Sequence, residues 1–554
     1  MKPRTLLFIF LGVLTLLRLI YISQVELVAD ESYYYLWSQH PDLSYYSKGP
    51  GVAMAIRFAT AIFGANEFGV RWLSPLLSLG TCLIMFYFAR RLYNESVAIW
   101  TVLAMNALPI FNVGSVVMTI DPLSIFFWTA AMATFWLALD KDQGFNWHWP
   151  LTGLLIGIGF LAKYTNAMEL ISIALVLALT KRFRVQFLRP GFWSMLVVFL
   201  GCTAPVVFWN GSHDNITIAH LMEHGNIHSK GLHPGGTLTF IAGQLGVYSP
   251  LIFIGMMMAL WWSRKEAMVK FKPRFLAMFA LPILVMYLFV SLKNSGQPNW
   301  TALSYISLGI LTVAMWHDAV ESKPGRKRLV GWALGIGIFM TIGFFGSDLL
   351  RSMDLPLPYN ASVGSIPTGI QRDPETGHFV TKWSKLKVMD PNLRSLGWET
   401  MAATVGDYRQ QFEKETKAPA FLIAKDYETA SLLSFYLPDK RTEGPGHPPV
   451  YVVESQAIEN EFSFWPKYDD FLHNIPKPQT QNPQDYYTGE EGVNPFTGRN
   501  ALYSTDDVDD IPPSNIIRGF QRIEMVKMFD VVRHGQLLRQ VRIFACYNYQ
   551  TVSL

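Results

Sequence analysis

The chain has 554 residues, of which 50% are apolar and only 16% are Asp, Glu, Lys or Arg, and its formal net charge is +4. A typical soluble domain carries about 25% charged residues, so the composition excludes a wholly soluble protein. The small net charge gives no support for nucleic-acid binding. Cys82, Cys202 and Cys546 are too few and too scattered to predict a disulfide framework or a cysteine-based metal site.

Long uncharged stretches recur through the first two-thirds of the chain and predict membrane-spanning helices, because about 18 or more apolar residues cross a hydrocarbon core as a helix. Two further short spans are predicted between 150 and 180, separated near Lys163, which makes about eleven spans in all. The longer candidates are 5–25, 72–89, 96–120, 122–139, 191–210, 237–262, 275–292, 300–316 and 329–347.

The first span has basic residues before it and resembles a signal peptide, but Arg18 lies within the apolar run and the cleavage pattern near Ala29 is poor, so we expect a retained anchor. Placing the N-terminus in the cytoplasm gives every predicted inside loop at least one Lys or Arg, as the positive-inside rule requires. These loops include 90–91, 141, 181–184, 264–274 and 323–328. An odd number of spans then places the region after about 348 outside the cytoplasm.

The region 350–554 is predicted to form a separate extracytoplasmic domain, after a transmembrane domain of residues 1–349. Strand-like segments at 420–425 and 450–453 alternate with helical spacing at 400–412 and 428–436, which indicates a small α/β or α+β domain. The segment 476–513 is rich in Pro, Asn, Gly and Asp and is predicted to be a long loop. Its Asp507-Val508-Asp509 resembles a nucleotide-sugar motif, but nucleotide sugars are absent outside the cytoplasm, so we interpret it as a solvated acidic loop.

The first predicted outer loop, 26–67, opens with Asp30-Glu31 and continues through an aromatic run to Trp37. Its aromatic, amphipathic character is typical of a segment at the membrane interface. The acidic pair is a candidate general base or metal site. The alternative is a helix start capped by Asp30, and the local pattern leaves both interpretations open.

A second carboxylate, Asp121, lies in an otherwise apolar hairpin between the third and fourth predicted spans. Ionisable groups at such a depth are costly and are usually functional. The alternative is again a helix cap, with Pro122 at the first helical position.

Lysines and histidines near the outer ends of the predicted spans are candidates for phosphate binding. Lys48, Lys163 and Lys293 oppose the positive-inside bias, and either phosphate binding or contact with lipid headgroups would explain them. The outer loop 211–236 carries five histidines near one glutamate, but their spacing matches no zinc pattern. Contacts with phosphate or sugar are the preferred interpretation of His213, His220, His224, His228 and His233.

Together these motifs resemble the glycosyltransferase C superfamily. The likeness covers roughly residues 1 to 350, and the branch it resembles is that of dolichyl-phosphate-mannose protein mannosyltransferases, which includes the bacterial lipid A aminoarabinose transferases. The resemblance implies a polytopic α-helical membrane protein of the glycosyltransferase C fold with a C-terminal extracytoplasmic domain. The motifs that carry it are Asp30-Glu31, the aromatic run to Trp37, Tyr46-Ser47-Lys48-Gly49-Pro50 and Thr119-Ile120-Asp121-Pro122-Leu123.

The resemblance also implies roles for individual residues. Asp30 and Asp121 match the family's essential carboxylates, with Glu31 beside the first, and Lys48 matches its phosphate-contacting lysine. Ser47-Lys48-Gly49-Pro50 departs from the usual Lys-Pro-Pro or His-Pro-Pro. The family's later Arg and Tyr contacts have no clear match. Further candidates for the donor phosphate are Lys163, Lys293, His224 and His228. The candidates for sugar or acceptor contact are Tyr33, Tyr34, Trp37 and Tyr46.

The implied function is transfer of a sugar from a polyprenyl-phosphate donor to lipid A, a glycan or a protein in the cell envelope, with inversion at the anomeric carbon. Asp30 is the expected general base. No metal is required, and a divalent ion has no support from the sequence. The expected location is the bacterial inner membrane, with a cytoplasmic N-terminus and a periplasmic C-terminal domain. The alternatives are a polytopic transporter, which usually shows repeated halves, and a lipid-binding membrane protein without catalysis.

Overall fold

The computed structural model describes residues 2–141, 144–224, 234–293, 296–346, 362–372, 379–387, 395–455, 457–469, 494–506 and 512–550. Contacts within the chain divide it into two units. The membrane unit consists of Met1–Val25 and Tyr34–Thr341, and the C-terminal unit consists of Glu26–Tyr33 and Ile342–Leu554. The start of the first outer loop therefore belongs to the C-terminal unit.

Helices form almost all of the membrane unit. The first nine are α1 (Pro3–Tyr21), α2 (Ala29–Gln39), α3 (Gly51–Phe63), α4 (Glu67–Arg71), α5 (Leu73–Leu92), α6 (Glu95–Asn106), α7 (Pro109–Val113), α8 (Ile120–Asp140) and α9 (His148–Ala162). The next eight are α10 (Met168–Leu179), α11 (Pro190–Ser212), α12 (Ile216–His224), α13 (Pro234–Tyr248), α14 (Pro250–Val269), α15 (Phe271–Ser291), α16 (Ala302–Ser322) and α17 (Lys327–Phe345). Short 3-10 turns occur at Tyr164–Ala167, Lys181–Leu188, Pro298–Thr301 and Pro324–Arg326.

Within the described residues, seven helical segments are long and apolar enough to cross a membrane, and α13 and α14 form one further pair that is bent by 111°. At the bend, Ser249 has a φ of 65° and Pro250 has no N–H to donate. Three shorter apolar helical segments, at Gly51–Phe63, His148–Ala162 and Tyr164–Leu179, do not meet the same length. The polytopic helical architecture is confirmed, while the number of about eleven spans stays a prediction.

The predicted span 96–120 is interrupted in the structure. Helix α6 ends at Asn106, and the short helix α7 begins at Pro109. A proline disfavours helical backbone at the residue before it, and Leu108 is extended with a φ of −83° and a ψ of 124°. The apolar composition of this stretch concealed the break.

Arg18 of α1 is buried. Its guanidinium group donates hydrogen bonds to polar side chains, most of which lie at this break. It donates to the side-chain oxygens of Asn112 at 2.7 Å, Asn106 at 3.0 Å and Ser78 at 3.2 Å. A charge within an apolar helix needs such partners. The interrupted α6–α7 segment therefore accounts for the basic residue inside α1.

Aromatic packing fixes α8 in the centre of the membrane unit. Phe135 on α8 stacks against Phe275 on α15, with ring centroids 5.9 Å apart, and Phe279 lies 4.7 Å from Phe275. All three side chains are fully buried. Aromatic pairs of this kind add stability beyond their buried area, so α8 offers a rigid support for the residues at its first turn.

A mixed sheet forms the core of the C-terminal unit. The strands are β1 (Ser362–Arg372), β2 (Phe379–Lys387), β3 (Ala420–Ala424), β4 (Tyr451–Val452), β5 (Asn500–Thr505), β6 (Phe520–Arg533) and β7 (Gln536–Tyr549). The helices are α18 (Trp398–Thr416), α19 (Tyr427–Tyr436) and α20 (Ser514–Gly519), with a 3-10 turn at Glu461–Phe464. The strands β1 and β2 pair antiparallel, and the five-stranded sheet has the order β4-β3-β5-β7-β6.

In that sheet β3 is parallel to β4 and β5, whereas β7 is antiparallel to β5 and β6. The mixed sheet with helices confirms the predicted kind of domain. The predicted long loop at 476–513 is wrong in part, because β5 lies within it and packs as a buried strand. Asp507-Val508-Asp509 lies outside the described residues.

Candidate active site

Residues Glu26–Tyr33, at the start of the first outer loop, are bonded to the helices of the C-terminal unit. The half-buried carboxylate of Glu26 accepts hydrogen bonds from three successive backbone N–H groups at the start of α18, including Gly397 and Glu399, both at 3.1 Å. Unpaired N–H groups at a helix start bind a carboxylate well. Burial raises the pKa of Glu26, and these hydrogen bonds oppose that shift. The backbone N–H of Leu27 donates to the Tyr436 hydroxyl at 2.6 Å.

Tyr33 forms the other end of this attachment. The backbone N–H of Glu461 donates to the Tyr33 hydroxyl at 2.6 Å. The Tyr33 ring lies 4.7 Å from that of Tyr427 and stacks nearly parallel to that of Phe462 at 6.1 Å. Residues on both sides of Asp30 are therefore fixed to the C-terminal unit.

Asp30 and Glu31, the predicted acidic pair, have different surroundings in the first turn of α2. Glu31 is fully buried, and its Oε2 accepts from the backbone N–H of Val28 at 3.0 Å. This is the reciprocal contact of a capping box, so Glu31 and not Asp30 caps the helix start. Asp30 is exposed. Burial, followed by the negative charges of Glu428 and Asp30, raises the pKa of Tyr427.

Asp121 lies in the first turn of α8 and has two hydrogen-bond donors in the membrane unit. Its Oδ1 accepts from Lys163 Nζ at 2.6 Å, and its Oδ2 accepts from Asn299 Nδ2 at 2.9 Å. The capping alternative for Asp121 is wrong, because Thr119 is the N-cap residue and its hydroxyl accepts from the Asp121 N–H at 3.4 Å. Pro122 is the third residue of α8, not the first.

Lys163 lies at the break between α9 and the following 3-10 turn. Its backbone is extended, and 9% of its side chain is exposed. Two residues of α8 contact side chains at this break. Asp121 pairs with Lys163, and Ser124 exchanges hydrogen bonds with Asn166. The structure gives Lys163 a carboxylate partner, and its contact with a donor phosphate stays a prediction.

The segment that carries Lys48 runs directly against the end of α9. A Cβ atom at Gly49 would overlap the carbonyl oxygen of Leu161, and one at Gly51 would lie 2.8 Å from the backbone nitrogen of Ala162. Only glycine allows so close an approach. The departure from the Lys-Pro-Pro pattern therefore has a packing reason. The close approach of the two glycines brings the Lys48 backbone beside the segment that ends in Lys163.

The chain is similar in sequence to known membrane glycosyltransferases. The family model for dolichyl-phosphate-mannose-protein mannosyltransferase matches residues 47–209, which include Lys48, Asp121 and Lys163. A lipid A galacturonosyltransferase of Rhizobium johnstonii is 28% identical over 355 residues, which cover 63% of this chain and 71% of that protein. An undecaprenyl phosphate-alpha-4-amino-4-deoxy-L-arabinose arabinosyl transferase of Pseudomonas fluorescens is 23% identical over 347 residues, covering 56% of this chain and 58% of its own.

The crystal structure of ArnT from Cupriavidus metallidurans has the same fold over nearly the whole length. The TM-score is 0.57 at 16% identity, and the match covers 98% of each chain. The same protein bound to undecaprenyl phosphate gives a TM-score of 0.56. The chain therefore shares the fold of ArnT and is similar in sequence to lipid A and undecaprenyl-phosphate glycosyltransferases of the aminoarabinose transferase-like branch of the glycosyltransferase C superfamily. The predicted resemblance and the predicted class of enzyme, a membrane glycosyltransferase, are confirmed.

The four aromatic residues predicted to contact sugar or acceptor in this glycosyltransferase are buried and contact other protein groups. Trp37 is fully buried, stacked on Tyr45 at 4.5 Å and met edge-on by Tyr34 at 4.9 Å. Tyr46 is 7% exposed, and its ring lies 4.6 Å from that of His220. The structure gives these rings packing contacts within the outer segments, and their contact with sugar or acceptor stays a prediction.

The remaining predicted phosphate contacts are only partly described. Lys293 lies just beyond α15, and its backbone N–H donates to the Val290 carbonyl at 2.9 Å. His224 is the last residue of α12, and its side chain is not among those described. His228 and His233 lie outside the described residues. Contact of Lys48, Lys293, His224 and His228 with a donor phosphate stays a prediction.

Asn299 is a residue of the site that sequence reasoning missed. Gln244 on α13 holds the turn that carries it, since Gln244 Nε2 donates to the Pro298 carbonyl at 3.1 Å and its Oε1 accepts from Thr301 Oγ at 2.7 Å and from the Tyr305 hydroxyl at 2.9 Å. The available signal was a polar Gln-Pro-Asn sequence immediately before an apolar span. It carries no charge, and uncharged polar residues are common at the ends of membrane spans, so the sequence alone does not mark it as functional.

One group of metal-binding type occurs among the described residues. The ligand atoms of His317, Asp318 and Glu321 lie within 4.8 Å of one another. These residues are in the last turns of α16, about 20 Å along the helix from its start. Asp121 and Asn299 lie at the other end, so this group does not belong to the candidate active site.

Proposed function

We propose that this glycosyltransferase moves a sugar from a polyprenyl monophosphate carrier to a hydroxyl group of lipid A at the extracytoplasmic face of the bacterial inner membrane. One relative supports the acceptor class, since its name describes a lipid A galacturonosyltransferase, and a second supports the donor class, since its name describes an undecaprenyl phosphate-linked aminoarabinose transferase. The binding of undecaprenyl phosphate by ArnT supports the carrier. The charge distribution of the loops supports a cytoplasmic N-terminus and a periplasmic C-terminal unit.

The observation that carries the proposal is the cluster at the end of α9. Asp121 is fixed there by Lys163 and Asn299, and the Lys48 segment runs against the same helix end. A leaving phosphate needs positive charge that is already oriented before the reaction. In the proposed mechanism Lys48 supplies that charge, and Asp121 fixes Lys163 and Asn299 beside it.

In the proposed reaction the acceptor hydroxyl attacks the anomeric carbon while the bond from that carbon to the phosphate oxygen breaks. Asp30, exposed at the start of α2, accepts the hydroxyl proton as general base. The electron pair of the broken bond leaves with the polyprenyl phosphate. A single displacement of this kind inverts the anomeric configuration.

The test uses the full-length protein in lipid nanodiscs with lipid A and two labelled donors, undecaprenyl phosphate carrying aminoarabinose or galacturonic acid. We expect transfer from one donor, detected as labelled lipid A with inverted linkage. A transporter or a lipid-binding protein would leave both donors intact. Absence of transfer from both donors, with donor binding retained, would contradict the proposal.

A further inference from the structure

The C-terminal unit contains a cavity of about 520 Å³ that the proposed transfer reaction does not use. Lys425 and Asp426 directly follow the parallel strand β3, and Val453 and Glu454 directly follow β4; all four line the cavity. Ligands of α/β sheets commonly bind at the carboxyl ends of parallel strands. The volume is within the range of small-ligand sites and suits one or two sugar rings.

Two buried carboxyl groups line this cavity with oxygens that lack a hydrogen bond of normal geometry among the described residues. Glu454 is 4% exposed, and its Oε1 accepts from the Tyr549 hydroxyl at 2.8 Å, while its Oε2 has no hydrogen bond of normal geometry there, although the nearby Tyr468 hydroxyl favours the ionised carboxylate. Asp469 is 7% exposed, and its Oδ1 also lacks such a hydrogen bond. Buried polar atoms are nearly always hydrogen-bonded, so these oxygens indicate a hydrogen-bonding ligand.

The protonation of these groups suits hydroxyl ligands. Burial raises the pKa of Glu454 to about 7 and also raises the pKa of Asp469. A protonated carboxyl group can donate one hydrogen bond and accept others, as a sugar hydroxyl can. Near neutral pH Glu454 can therefore bind a hydroxyl group as donor or as acceptor, and Asp469 offers an acceptor oxygen.

The other lining residues distinguish among ligand classes. Four carboxyl side chains and two lysines line the cavity, and Lys425 Nζ already pairs with Asp506 Oδ1 at 2.6 Å. The negative charge of the lining carboxylates repels phosphates and uronic acids, and it attracts ammonium groups. Tyr427, Tyr451 and Phe462 add aromatic surface, which packs well against the apolar faces of sugar rings.

We propose that this cavity is a saccharide-binding site for one or two neutral or amino sugar rings. Tyr427 connects it with the catalytic segment, because its ring lines the cavity and lies 4.7 Å from the ring of Tyr33. On the proposed function, the bound saccharide is the carbohydrate part of the acceptor. The site then holds the acceptor near the segment that carries Asp30.

The test measures binding of a glucosamine disaccharide to the full-length protein in nanodiscs by calorimetry, without donor. We expect saturable binding by the wild type and at least about 10-fold weaker binding by the Glu454→Gln/Asp469→Asn double variant. Glu459→Lys, at an exposed position of the lining, should also weaken binding without affecting folding. Asp407→Asn, an exposed aspartate outside the lining, is the matched control and should bind as the wild type does.

No binding by the wild type up to about 20 mM, or equal binding by the wild type and both lining variants, would overturn the site. Glucuronic acid should bind more weakly than the glucosamine disaccharide, and the reverse order would overturn the ligand class.

In the transfer assay the double variant should raise KM for the acceptor with kcat unchanged. An unchanged KM would overturn the link to the acceptor. Disaccharide binding does not depend on the donor, so a failed transfer assay with intact binding would contradict only the proposed function.

Discussion

Asp121 in the membrane unit and Asp30 in the C-terminal unit are carboxylates with opposite surroundings. Both oxygens of Asp121 accept hydrogen bonds, from Lys163 and Asn299, and only 17% of its side chain is exposed. Asp30 is exposed, while residues on either side of it are bonded to the C-terminal unit. A paired and fixed carboxylate serves to orient its partners, whereas an exposed one on a fixed backbone can accept a proton. On the proposed function, Asp30 is the general base and Asp121 is the positioning residue, and both roles stay predictions.

The strongest test of this assignment is Asp30→Asn. We expect kcat to fall by about 10²–10⁴-fold, the usual contribution of a general base, with an unchanged thermal unfolding temperature. The measurement is single-turnover transfer in nanodiscs. Asp407→Asn, another exposed aspartate on a helix of the same unit, should keep full activity. Activity of Asp30→Asn equal to that of this control would remove the base from Asp30.

For the Asp121 cluster we expect the largest loss of stability. Asp121→Ala leaves the ammonium group of Lys163 buried without its partner, and breaking such a pair costs about 3–5 kcal/mol of unfolding free energy. The double variant Asp121→Asn/Lys163→Gln should recover much of that stability without recovering activity. Thermal unfolding and transfer rates of all variants measure both effects. Recovered activity in the double variant would show that the charges act only in folding.

Glu26→Gln tests the attachment of the segment that carries Asp30. The amide of the variant keeps only one acceptor oxygen, so at least one N–H group at the start of α18 loses its partner, and we expect a loss of about 2 kcal/mol. Hydrogen exchange of residues 397–399 should accelerate, and kcat should fall with it. Glu415→Gln, in the last turn of α18, is the control. An unchanged exchange rate would mean that Glu26 does not hold this helix start.

The same residue predicts a pH dependence. Burial raises the folded-state pKa of Glu26 above its usual 4.5, so the folded state binds the proton more tightly than the unfolded state does. The stability linked to this proton is fully present below pH 4.5 and is lost as the pH rises through the folded-state pKa. Wild-type protein should show this slope in thermal unfolding, and Glu26→Gln should show less of it.

The smallest effect is expected at Gly49. Gly49→Ala would push the Lys48 segment away from the end of α9, with a loss of about 1 kcal/mol and a several-fold rise in KM for the donor. Gly201→Ala, in α11 with open space around it, is the matched control and should be neutral. Equal donor KM values for the two variants would show that the position of the Lys48 segment does not affect donor binding.

Local patterns in the sequence were sufficient for most of the fold. Hydropathy located the long helices, and short apolar runs located β3 and β4, because both signals depend only on local composition. The interruption at Pro109 was missed because the stretch around it is uniformly apolar. Strand β5 was missed because the surrounding turn-forming residues dominated the composition of the segment.

The candidate site was only partly predictable for a different reason. Asp30, Asp121 and Lys163 were selected as unusual charges, but the pairing of Asp121 with Lys163 joins residues 42 positions apart. Asn299 lies 178 positions from Asp121 and carries no charge. The capping bond of Glu31 and the packing of Trp37 were not foreseen, because a capping carboxylate and a packed aromatic ring have the same local sequence pattern as functional ones. Such contacts depend on tertiary packing, which one sequence does not display.

The attachment of Glu26–Tyr33 to the C-terminal unit has a practical consequence for protein engineering. A chimera that exchanges only the region after α17 would keep every long apolar helix but would remove the native partners of Glu26 and Tyr33. The foreign region would lack the groups that bond to Glu26 and Tyr33. The backbone around Asp30 would therefore no longer be held in place. A working hybrid therefore has to transplant Glu26–Tyr33 together with the distant C-terminal part, as a single graft made of two pieces.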